Sequence, residues 1–131
     1  MSEHTYGQKE PMENEAMVLT LETQARAIWP QEKDYLKRIF SRAGLNVLDV
    51  GCGTGEITSR IANEFSTKHV TGIDLAGPHI HRAQQRFAGV SGLSFQHGDA
   101  TRMPFENDRF DVALCRHMLQ AVPDPLGVIK E

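Results

Sequence analysis

Apolar residues recur early in the chain at the three- and four-residue spacing of a helix that buries one face: Met17, Val18, Leu21, Ala25, Ile28 and Trp29. Pro30 is expected to interrupt that helix, since it lacks an N–H and its ring crowds the preceding turn. A second helix follows, with Tyr35, Leu36, Ile39 and Phe40 on one face and Lys33, Asp34, Lys37 and Arg38 toward water. Gly44 stands where a left-handed cap ends it. From Asn46 the period changes. Val47-Leu48-Asp49-Val50 is a short apolar run that stops at a glycine cluster, and Ile57, Ile61, Ala62 and Phe65 mark the helix after it. His69–Asp74 reads as a strand, and Pro78 is placed to open a helix that carries Ile80, Ala83 and Phe87 and ends near Gly89. Leu93–His97 and residues 110–115 read as two further strands, and 125–131 as the start of another helix. Strands joined by helices must cross over, so the expectation is an α/β fold: one parallel sheet with helices on both faces.

Composition narrows the function classes. The 131 residues carry 14 basic and 17 acidic side chains, a net charge of −3 with neutral histidines. That balance leaves no footprint for nucleic acid or an anionic membrane. No apolar stretch has the length of a membrane span, and the polar, acidic start is unlike a secretory signal. Two cysteines, Cys52 and Cys115, are too few for a disulfide scaffold, so a cytoplasmic, reducing setting is the default. The pattern divides the chain into a flexible tail (1–15), N-terminal helices (16–44) and a ligand-binding domain (45–131).

The most informative segment is Asp49-Val50-Gly51-Cys52-Gly53-Thr54-Gly55-Glu56, a strand end, a glycine turn and a helix start in succession. Glycines allow the tight turn and the close approach of a ligand, and the helix start offers free N–H groups. A mononucleotide-phosphate loop needs a lysine followed by Ser or Thr, which is absent. A dinucleotide turn needs a third glycine at position 56, where Glu56 stands. The spacing present is G-x-G-x-G with an acid before it. It resembles the first motif of the class I S-adenosylmethionine-dependent methyltransferases. Val70-Thr71-Gly72-Ile73-Asp74-Leu75, Gln96-His97-Gly98-Asp99-Ala100 with Met103-Pro104-Phe105, and 110–117 with Val122-Pro123-Asp124-Pro125 are similar to that family's later motifs, in the family's order. The wording of the last two is nearest to the ubiquinone and menaquinone C-methylating group.

The resemblance implies a Rossmann-like doubly wound sheet with strand order 3-2-1-4, S-adenosyl-L-methionine as cofactor and a small-molecule acceptor. It implies a cofactor site made of Asp49, Gly51, Cys52, Gly53, Thr54, Gly55, Asp74, Leu75, Asp99, Ala100, Cys115 and Arg116. In that site the glycines clear a path for the amino-acid end and sulfur. Asp49 accepts from the ammonium or braces the turn, and Asp74 accepts the ribose hydroxyls or caps the next helix. Leu75 packs on the adenine, Asp99 and the Ala100 N–H meet its edge, and Cys115 and Arg116 lie toward the methyl group. His117 is the candidate base, with capping or packing as its alternative, and Gln24 on the first helix is a candidate lid residue. The family continues into further strands that are absent here, so a truncated domain is expected. Its fourth strand would be an open apolar edge and a candidate homodimer contact. A nicotinamide-dependent oxidoreductase and a catalytically silent binding module remain as alternatives. No metal site is expected, because His79 and His81 are two apart and point to different sides of a helix.

Overall fold

The computed structural model describes residues 11–99, 101–102, 105 and 109–115. Helix α1 (Pro11–Ile39) leads into strand β1 (Asn46–Val50), then α2 (Glu56–Glu64), β2 (His69–Asp74), α3 (Gly77–Arg86), β3 (Leu93–His97) and β4 (Val112–Leu114). The strands form one parallel sheet in the order β3-β2-β1-β4, as the resemblance implied.

Helix α1 departs from expectation at both places where the sequence suggested a break. It starts at Pro11, inside the stretch read as a flexible tail, because a proline at the first helical position loses no hydrogen bond. It also runs on through Pro30. The missing N–H costs one helical bond, but Trp29 before it and Leu36 after it are buried in one core, and that packing holds both halves in register. Pro30 itself faces out.

In the sheet, Val47 pairs with Val70 on one side and Val112 on the other. Val47, Val70 and Leu114 face a core built with Trp29, Leu36 and Phe40 from α1 and its following turn and Ile57 and Ile61 from α2. Ile80 and Ala83 of α3 extend that face over Phe95 and Cys52. On the opposite face, Leu48, Val50 and Ile73 pack with Phe105, Phe110 and Cys115. Among the described residues, then, all three helices cover a single face, and loop aromatics stand on the other where a helix was expected. Strand β4 is shorter than the apolar run 110–115. Just before β4 the Asp111 carboxylate takes the Asn46 N–H at 2.8 Å, while the Asp111 N–H donates to the Asn46 carbonyl at 2.8 Å. The helix expected over 125–131 lies outside the described residues.

Candidate functional site

The carboxyl ends of β1, β2 and β3 meet around the glycine turn. Gly51 leaves β1 at φ +74, and the N–H groups of Gly51 and Cys52 both donate to the Ile73 carbonyl, at 2.8 and 3.1 Å. The turn is thereby fastened to β2. Gly53, at φ +60, donates its N–H to Asp74 Oδ2 at 2.8 Å, and Asp74 Oδ1 accepts the Ala76 N–H at 2.8 Å. Each Asp74 oxygen thus holds one backbone donor and keeps a further acceptor position. A Cβ built on Gly53 would meet nothing within 4 Å, so the space beside this peptide is open.

Asp74 gathers its neighbours. Its carbonyl accepts the Gly98 N–H at 3.0 Å, and His97 Nε2 bonds the Leu75 carbonyl at 2.8 Å, so the end of β3 is tied to the loop after β2. Leu75 is two-thirds exposed, an apolar surface beside the carboxylate. Asp99 Oδ1 accepts both the Thr101 N–H (2.9 Å) and its hydroxyl (2.7 Å), and these bonds hold its carboxyl below the usual range. That leaves Oδ2 directed elsewhere.

The remaining described residues of the expected set also make contacts within the fold. Asp49 is fully buried and accepts the Thr58 hydroxyl at 2.7 Å, bracing the turn against α2. A Cβ on Gly55 would lie 2.6 Å from the Phe95 ring and 3.3 Å from Ala83, so the core fills the side-chain direction of this glycine. The Cys52 side chain lies against Gly72 and packs with Ile80 and Phe95. Thr54 is buried. Cys115 packs on the opposite face from Cys52, and neither is in a disulfide. Burial, then the nearby Asp49 charge, pushes the Cys115 thiol up. Gln24 is exposed. Ala100, Arg116 and His117 lie outside the described residues.

Sequence reasoning missed two buried carboxylates. Glu22 accepts Arg82 Nε at 3.0 Å and Arg86 Nη1 at 3.1 Å, and Glu56 accepts Arg86 Nη1 at 2.7 Å and Arg60 Nη2 at 3.0 Å. Burial alone would raise the Glu22 pKa, but the Arg82 hydrogen bond and the Arg86 charge hold it below its usual value. The available signal was positional: Glu22 occupies the apolar stripe Val18, Ala25, Trp29.

Among the described residues no helix is long and apolar enough to cross a membrane. A methyltransferase domain family matches residues 47–131. Demethylmenaquinone methyltransferase of Staphylococcus aureus strain MRSA252 is 36% identical over 106 residues, which is 77% of this chain and 44% of that protein. The chain therefore spans less than half the length of that relative. A candidate S-adenosyl-L-methionine-dependent methyltransferase from Methanococcus maripaludis superposes with a TM-score of 0.82 over 99% of this chain and 60% of its own, at 17% identity, a likeness of fold alone. The [4+2]-cyclase SpnF superposes at 0.69, with 28% identity, over 76% of this chain and 38% of its own. One architecture hosts more than one chemistry. On the matched motifs and the relative's identity, the chain belongs to the methyltransferase domain family.

Proposed function

We propose that this chain holds S-adenosyl-L-methionine at the carboxyl end of the sheet and serves methyl transfer to a small-molecule acceptor. The observation that carries the reading is the open space at Gly53 beside an Asp74 carboxylate already aimed by that glycine's N–H. Two ribose hydroxyls fit the acceptor positions Asp74 retains. Leu75 offers its exposed face to the base, and Asp99 with Ala100 would read the base edge. Cys115 and Arg116 would border the methyl end, with His117 as the base if the acceptor must lose a proton. When bound, the cofactor supplies a methyl group on a sulfonium with a neutral thioether as leaving group. The protein's part is to align the acceptor and keep water out. The name of the S. aureus relative supports a quinone-type acceptor.

We propose a reducing compartment on the small number of cysteines, neither in a disulfide, and propose that the Val112–Leu114 edge pairs with a second copy. Light scattering that shows only monomer removes the last point. Calorimetric titration with S-adenosylhomocysteine and, separately, NAD tests the assignment. Binding of the first is expected, and heat from NAD alone overturns it.

A further inference from the structure

Two backbone donors aim the Asp74 carboxylate, and they are held in different ways. The Gly53 N–H on Oδ2 comes from the glycine turn, which is fastened to the Ile73 carbonyl of β2. The Ala76 N–H on Oδ1 comes from the peptide that joins Leu75 to Ala76. The Leu75 side chain is largely exposed and gives that segment no anchor in the core. Ala76 is the N-cap of α3, and no side-chain hydrogen bond caps the helix there. The other polar end of the same peptide is the Leu75 carbonyl, and His97 Nε2 lies 2.8 Å from its oxygen. A carbonyl only accepts, so the ring nitrogen is the donor.

The Leu75 C=O and the Ala76 N–H lie in one rigid plane, because the peptide bond between them does not rotate. Holding the oxygen therefore fixes the direction of the N–H. Strand pairing delivers the ring to this place: His97 stands opposite Asp74 in the β2–β3 register, and the Gly98 N–H donates to the Asp74 carbonyl at 3.0 Å. We propose that His97 is a positioning residue for the ligand site. By holding the Leu75 carbonyl it sets the peptide whose N–H meets Asp74 Oδ1 at 2.8 Å, and so aims that carboxylate. This inference rests on the cofactor reading given above, in which Asp74 takes the ribose hydroxyls.

The test compares His97→Ala, His97→Asn and His97→Gln with His69→Ala. A glutamine amide can bring its NH2 to where Nε2 stands, and the shorter asparagine falls short of it. His69 is the control, since its Nε2 bonds Ser94 Oγ at 2.9 Å across the same two strands at their amino ends. Hydrogen exchange at the Ala76 amide is read in the ligand-free chain. It is expected to quicken roughly fivefold in H97A and H97N, the size of one neutral hydrogen bond, and to keep the parent rate in H97Q and H69A. Affinity for S-adenosylhomocysteine, by calorimetry, is expected to weaken roughly fivefold in H97A and H97N and to be restored in H97Q. An Ala76 amide as protected in H97A as in the parent chain overturns the proposal, as does an unchanged affinity in that variant. A loss in H97Q equal to that in H97A also overturns it, because the donor would then not be the cause. Equal losses in H69A and H97A would assign the effect to loosening of the β2–β3 pair, against the proposal. Failure of the parent chain to bind S-adenosylhomocysteine would remove the cofactor reading, while Ala76 exchange still decides whether His97 holds the peptide. If H97A does not fold, H97N against H97Q carries both readouts.

Discussion

Gly53 and Gly55 are two residues apart, both with positive φ, yet substitution by alanine should separate them sharply. At Gly55 the added methyl would sit 2.6 Å from Phe95 Cζ, 2.7 Å from Cε1 and 3.3 Å from Ala83 Cβ, on a backbone at φ +85. Left-handed strain costs about 1–2 kcal/mol and forcing a methyl into a packed core about 1–3 kcal/mol, so Gly55→Ala should lose roughly 2–5 kcal/mol. At Gly53 the methyl meets nothing, and only the strain at φ +60 remains. Gly53→Ala should cost about 1 kcal/mol once the stiffer unfolded chain is counted. Its larger effect falls on ligand affinity, because the methyl fills the space beside Asp74. Urea unfolding of each variant, with unchanged m-values, measures both losses. Phe95→Ala supplies the check, since removing the ring removes the clash. The Gly55→Ala/Phe95→Ala pair should cost about 1–3 kcal/mol less than the sum of its parts. Equal losses at the two glycines, or strictly additive costs with Phe95, would refute the division of labour drawn between them.

Asp74→Asn sets an amide NH2 against either the Gly53 or the Ala76 N–H, each now bonded at 2.8 Å, so it should lower stability by about 1–3 kcal/mol and abolish S-adenosylhomocysteine binding by calorimetry. The lowered Glu22 pKa has a pH consequence: its contribution is whole above the unfolded value near 4.5 and is lost as pH falls through the lower folded value. The urea midpoint of the parent chain should therefore drop below about pH 4.5, and Glu22→Gln should flatten that part of the profile. Because burial and then Asp49 raise the Cys115 thiol, iodoacetamide should label it more slowly at pH 8 than a free cysteine, and Asp49→Asn should speed labelling, as read by mass spectrometry.

The strands were legible because burial on a sheet leaves its period in the sequence: β2 and β3 have the bounds read from His69–Asp74 and Leu93–His97. The breaks were less legible, because whether a proline ends a helix depends on what the flanking residues touch. Trp29 and Leu36 reach the same core on either side of Pro30, and no local pattern reports that. Next to the start of β4 the Asp111 carboxylate likewise accepts the Asn46 N–H, a contact across 65 residues that no local pattern reports.

At the site, the sequence supplied residue types but not the direction in which they point. Gly53 and Gly55 look equivalent as letters, yet Gly53 opens onto free space, and Gly55 yields to a ring 40 residues later in the chain. Glu56 reads as a departure from a dinucleotide turn, but its carboxylate is engaged with Arg60 and Arg86 and closes the outer side of the turn. Glu22 stands in the apolar stripe of α1, but its partner Arg82 lies 60 residues away. In each case the missing fact is a tertiary neighbour. The glycine spacing accordingly identifies where a ligand can approach, while the side chains packed behind the turn come from β3, α2 and α3, outside the motif.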